Sequence, residues 1–213
     1  MNSTRRATGT DTYKNFADLT ANETEGIHWS REAHRVPASD LSHIAIHGGG
    51  IEVGTTEAAR AAAGGSHNFY SFHGKKASAN RVLHLTASHF DEPLCEALQA
   101  DMVRTVSWHG FHDPLKITEV GGLDEHLALW ITRSLEHAGF PVTGAAPERA
   151  GQGPRNICNR NLAGQGAQLE LSTAQRTAFF RGGDTSAENR GNTTAEFSRY
   201  IEAVQAAYRR ARA

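Results

Sequence analysis

Apolar residues along this chain fall in short blocks whose period switches between that of a strand and that of a helix. Leu41-Ser42-His43-Ile44-Ala45-Ile46 reads as a buried strand running into His47. An alanine-rich helix over 56–63 follows, stopped by Gly64-Gly65. Residues 69–72 and 82–86 read as strands, and a helix over 92–100 carries Pro93 in its first turn. A strand over 102–108 ends at His109-Gly110, and 115–120 is a further strand. The clearest helix is 124–137, with Leu127, Trp130, Ile131 and Leu135 at helical spacing. A short strand begins at 141–143, a Gly/Pro/Arg loop spans 144–156, and the segment 157–162 leads to a strand over 168–171 and a helix from Thr173. The last helix, 194–212, aligns Phe197, Ile201, Val204 and Tyr208. Upstream lie a short helix over 15–21 and a Ser/Thr/Arg/Gly-rich tail, 1–12, expected to be disordered. Such alternation specifies an α/β fold, a mixed and mostly parallel sheet between helices, in one domain over 13–213.

Composition narrows the function more than the fold. The formal net charge of -1 over 213 residues gives no electrostatic reason to expect nucleic acid or an anionic membrane as partner. No apolar run approaches the roughly 20 residues of a membrane span. Arg5 and Arg6 precede polar sequence, not the apolar core of a signal peptide. The expectation is a soluble monomer, cytoplasmic as synthesised, with release on lysis as one route to an extracellular substrate. Cys95 and Cys158 form neither a zinc-finger spacing nor a disulfide framework and are expected reduced and buried. Twelve histidines enrich the chain in ligands and also raise the odds of accidental patterns.

Chemistry concentrates at strand ends. His47-Gly48-Gly49-Gly50-Ile51-Glu52 sets an imidazole and a carboxylate around three glycines, which remove side chains that would keep a metal or substrate off the backbone. His109 ends another strand, and parallel strands bring such ends side by side. His47, Glu52 and His109 then form a two-histidine, one-carboxylate set with an open fourth position, the ligand count of a catalytic zinc. The blander reading makes His47 a strand end and Glu52 a first-turn acid favoured by the helix dipole. Glu170, between Leu169 and Leu171, is the candidate general base, because a carboxylate in an apolar strand has little reason to be there unless it faces a site. Arg155-Asn156-Ile157-Cys158-Asn159-Arg160 is a cationic, amide-rich cluster suited to carboxylates.

Taken with Phe69-Tyr70-Ser71-Phe72, Leu83-His84-Leu85-Thr86-Ala87-Ser88-His89-Phe90-Asp91, Ser107-Trp108-His109-Gly110, Asn156-Ile157-Cys158-Asn159-Arg160 and Gln168-Leu169-Glu170-Leu171, the His47–Glu52 run resembles the poly-γ-glutamate hydrolase family of bacteriophages and prophages over about residues 13–210. The resemblance implies a zinc-carboxypeptidase-like fold and one zinc ion. It carries His47, Glu52 and His109 over as ligands and Glu170 as general base. It also carries Asn159 and Arg160 over as the pair that grips a substrate carboxylate. Val53 departs from the proline expected beside the ligand in many members. The implied reaction is hydrolysis of γ-glutamyl amide bonds in a polyanionic polymer, for which Arg155, Arg160, Lys75 and Lys76 are available cations. His89 and Asp91 either orient a ligand imidazole or line the groove, and His84 between leucines reads as a packed residue. Two rival readings use the same residues: a zinc amidase acting on cell-wall peptides or other γ-glutamyl compounds, and a non-catalytic phage-associated protein of the same fold.

Overall fold

A computed structural model describes residues 11–211. The expectation for the tail over 1–10 lies outside the described residues. Asp11, within the same expected tail, is fixed, accepting a hydrogen bond from the Thr86 amide at 2.7 Å.

Among the described residues seven strands form one sheet in the order β1-β3-β2-β4-β7-β5-β6. They are β1 (Trp29–His34), β2 (Leu41–Gly49), β3 (Asn68–Gly74), β4 (Arg104–Phe111), β5 (Thr118–Gly122), β6 (Val142–Gly144) and β7 (Ala167–Ser172). The central strands β3, β2, β4 and β7 run parallel, whereas β1 and the β5–β6 pair run antiparallel to their neighbours. The expected mixed, mostly parallel sheet is therefore present. Among the described residues six helices cover it: α1 (Phe16–Asn22), α2 (Thr55–Ala63), α3 (Pro93–Gln99), α4 (Glu125–His137), α5 (Thr173–Ala178) and α6 (Ala195–Ala211).

Two apolar cores lie on the two faces. Leu41, Ala45, Val106, Trp108, Leu169 and Leu171 pack against Ala58 and Ala62 of α2, Leu127 and Ile131 of α4, and Tyr200 and Val204 of α6. Ile44, Ile46, Tyr70 and Phe72 pack on the other face against Leu19 of α1 and Cys95 and Leu98 of α3. Both cysteines are buried and free, as expected. Helix ends follow local chemistry: Glu92 caps α3 by accepting from the Leu94 and Cys95 amides, and Gly64 ends α2 at φ 55°.

One segment differs from its expected form, and one strand was not expected. The strand expected over 82–86 is instead a 3-10 turn, Asn80–Leu83, followed by extended chain. Both edges of β3 are taken, by β1 and β2, so this segment crosses the sheet instead of joining it. Its Leu83 and Leu85 are buried with Ile44 and Ile46. Conversely, β1 carries no apolar alternation, since only Trp29 of its six residues is buried. It is an edge strand, and its charged residues suit an edge exposed to solvent.

Candidate metal centre

The pleat of β4 and β7 splits each strand between two environments. Val106, Trp108, Leu169 and Leu171 turn into one core; Ser107, His109, Gln168 and Glu170 alternate with them, all buried. His109 is in register with Glu170 across the β4–β7 pair, so both emerge at the same level.

His47 joins them through an irregularity. The β2–β3 register shifts between Ala45 and Gly48, inserting one extra residue on β2. Such a bulge breaks strict alternation and re-aims a side chain. Glu52 is returned by a tight loop in which its amide donates to the His47 carbonyl at 2.8 Å. The three glycines have a different task from the one expected. A Cβ on Gly48 would meet Thr56 Oγ1 at 2.1 Å, and one on Gly50 would meet Asn80 Nδ2 at 2.4 Å. Gly49, at φ 62°, would strike the Gly74 carbonyl. The glycines let the loop press against β3 and its following turn; they do not open space for a substrate.

The donor atoms converge. His47 Nδ1 lies 3.1 Å from Glu52 Oε1 and 3.1 Å from His109 Nδ1, and His109 Nδ1 lies 3.8 Å from Glu52 Oε2. His47 Nε2 donates to the Leu85 carbonyl at 2.8 Å, an atom that only accepts, so the proton of a neutral His47 sits on that outer nitrogen. Its inner Nδ1 then presents a lone pair to a carboxylate and to a second imidazole. A proton or a metal cation must sit among them. His109 Nε2 is hydrogen-bonded to Ser107 Oγ at 2.9 Å, which leaves its Nδ1 free to turn inward. Zinc–nitrogen bonds of about 2.0–2.1 Å in a tetrahedron put ligand atoms about 3.3 Å apart. The two 3.1 Å separations fit that geometry.

Electrostatics agrees with ligand duty. Burial, with repulsion from His47, holds the His109 pKa down to about 3, keeping the imidazole neutral. Burial opposes ionisation of Glu52, yet its contact with His47 outweighs that and holds its carboxyl below the usual range. The Gly110 amide also donates to Glu52 Oε2 at 2.9 Å.

His84 is the residue that its leucine neighbours disguised. Its ring stacks on His47 with centroids 3.9 Å apart, and its Nε2 lies 3.9 Å from Glu52 Oε1. Asp11 Oδ1 holds its Nδ1 at 2.9 Å. Ligand atoms of His47, Glu52 and His84 thus lie within 4.8 Å of one another and make a second possible metal group. The rings of His47 and His84 are only 27° from parallel, so their in-plane lone pairs aim side by side. Those of His47 and His109 cross at 72° and can meet at one ion.

Glu170 is buried, and Gln168 Nε2 donates to its Oε1 at 3.0 Å. Asn156 Nδ2 donates to Gln168 Oε1 at 2.9 Å, which fixes the amide so that its NH₂ faces Glu170. Burial first, then the nearby Glu52 charge, push the Glu170 carboxyl well above its ordinary value.

The expected substrate cluster is distributed differently. Asn159 is buried, donating to the Gly151 and Gly153 carbonyls and accepting from the Gly166 amide, so it builds its own loop. Arg160 donates to Glu96 Oε1 at 2.6 Å and to the Phe90 carbonyl, which ties its guanidinium to the α3 side. Arg155 stands exposed. Lys76 pairs with Glu23 at 2.7 Å, and Lys75 donates to the Gly26 carbonyl. Asp91 accepts from the Phe16 amide at 2.7 Å and anchors the start of α1, while His89, mostly exposed, lies 3.6 Å from Asp11. Sequence reasoning missed Asp11, Ser107 and Gln168 as partners of the site. The signal for the latter two was available, because each lies two residues before a site residue on the same strand face.

Known proteins match this architecture throughout. A bacteriophage poly-γ-glutamate hydrolase of known structure superposes with a TM-score of 0.91 at 40% identity, covering 94% of this chain and 98% of that one. A zinc-free apo structure of YndL gives 0.88 at 34% identity, over 94% and 98% of the two chains. YndL of Bacillus subtilis strain 168 is 35% identical in sequence over 93% of this chain and 77% of its own length. YoqZ, derived from the SPbeta prophage of that strain, is 37% identical over 80% of this chain and 62% of its own length. The family model for poly-γ-glutamate hydrolases matches residues 13–203, and the chain belongs to that family.

Proposed function

We propose that the protein is a zinc-dependent hydrolase of γ-glutamyl amide bonds in poly-γ-glutamate, with His47, Glu52 and His109 holding one zinc ion and Glu170 as general base. The observation that supports this reading best is the convergence of His47 Nδ1, Glu52 Oε1 and His109 Nδ1 at 3.1 Å spacings beside an in-register Glu170. When bound, zinc supplies Lewis acidity that polarises a carbonyl and lowers the pKa of water to about 7.

The protein groups do the rest. Leu85 and Ser107 fix the outer nitrogens of His47 and His109, so their inner nitrogens stay directed at one point. Glu170, with its proton affinity raised, takes the proton of the attacking water and passes it to the departing amine nitrogen. Gln168 holds that carboxylate in place throughout. The exposed Arg155 is the cation of the expected cluster best placed to meet a carboxylate of a polyanionic chain.

Incubation of zinc-loaded protein with poly-γ-glutamate, followed by size-exclusion chromatography, tests the reading. Shortened polymer is expected, and its formation should stop in a chelator and resume with added zinc. Zinc bound with the polymer intact would direct the same residues to another γ-glutamyl or cell-wall amide. Absence of zinc binding would remove the mechanism.

A further inference from the structure

Three of the segments that present the site are held by the same side chain. Arg176 of α5 donates through Nη1 to the Val53 carbonyl at 2.8 Å, through Nε to the Leu171 carbonyl at 3.1 Å, and through Nη2 to the Phe111 carbonyl at 3.2 Å. Val53 follows Glu52, Leu171 follows Glu170, and Phe111 lies two residues after His109. One planar guanidinium therefore joins the exits of β2, β4 and β7.

The chain makes room for it. A Cβ on Gly110 would meet Arg176 Nε at 2.5 Å, and a Cβ on Gly54 would meet Arg176 Cβ at 3.3 Å. The glycine beside His109 and the glycine after Val53 are thus clearances for this arginine. Burial lowers the Arg176 pKa, and the charges of Glu52 and Glu170 oppose that shift.

We infer that Arg176 is the positioning residue of the active site: by bonding three carbonyls at once it sets Glu52, His109 and Glu170 at their mutual spacing. Lysine cannot replace it. An ammonium offers a point charge on a flexible stem, whereas the rigid fork of arginine addresses several acceptors in one plane. The inference rests on the zinc reading above but has its own readout, metal affinity, which needs no polymer.

The test compares wild type with Arg176→Lys and Arg176→Ala in chelator competition for zinc and in steady-state cleavage of poly-γ-glutamate. Arg176→Lys should bind zinc at least about tenfold more weakly. It should also lose about 100-fold in kcat with little change in KM, as expected when reacting groups are misplaced by about 1 Å. Arg176→Ala should recover zinc affinity in millimolar guanidinium ion, which refills the vacated fork. Zinc affinity and kcat of Arg176→Lys matching wild type would overturn the inference. If the lysine variant does not fold, the guanidinium experiment decides, and failure to recover zinc affinity overturns it. Wild-type protein without zinc affinity would instead remove the underlying zinc reading.

Discussion

The two faces of β4 and β7 are built from the same strands and do opposite things. Val106, Trp108, Leu169 and Leu171 face α2, α4 and α6 and are sealed in an apolar core. Ser107, His109, Gln168 and Glu170 alternate with them and are almost as deeply buried, yet each is polar. A buried polar group is costly unless it is hydrogen-bonded, so the second face needs a partner for every atom. It finds them in Ser107, Gln168 and Asn156, and the inward nitrogen of His109 faces His47 and Glu52. One face therefore supplies stability, and the other spends part of it on preorganisation.

Substitutions on each face should separate these roles. The largest effect is expected for His109→Ala, which should lose stoichiometric zinc and all measurable turnover while keeping its fold by circular dichroism. Glu170→Gln should keep zinc, as read by metal analysis, and lose about 10²–10⁴-fold in kcat. Across the strand, Leu169→Ala should cost about 2–5 kcal/mol in urea unfolding, yet the folded fraction should bind zinc normally. Ser107→Ala should weaken zinc by about tenfold through its loss of hold on His109, with little change in unfolding.

The smallest effect is one of pH. Because the Glu170 carboxyl is raised, its folded form favours the proton. The associated stability is complete below the ordinary carboxyl range and is lost as pH rises through the raised value. Metal-free Glu170→Gln should therefore melt higher than metal-free wild type at alkaline pH, and the two should converge in acid. Equal melting temperatures across the range would mean that Glu170 carries no burial cost.

Much of this division was legible in the sequence. Period-two alternation around Trp108 and Leu169 marks both strands, and the polar partners at that spacing mark the second face. Helices rich in alanine or spaced leucine were equally plain. The edge strand β1 was not, because its polar residues obey solvent rather than a core. The crossing segment with His84 imitates a strand, since Leu83 and Leu85 alternate but are buried against a sheet they do not join. The glycine run signalled a close approach, though its direction toward Ser71, Gly74 and Asn80 depends on a register shift that no local pattern encodes. Arg176 left no local trace at all, because its three acceptors come from separate parts of the chain.

The central claim is that His109 rather than His84 completes the metal set. Anomalous diffraction at the zinc edge from crystals soaked in zinc would test it most directly. The expected result is one peak within about 2.0–2.2 Å of His47 Nδ1, His109 Nδ1 and a Glu52 oxygen. A peak bonded to His84 Nε2, with His109 left outside the coordination shell, would contradict it.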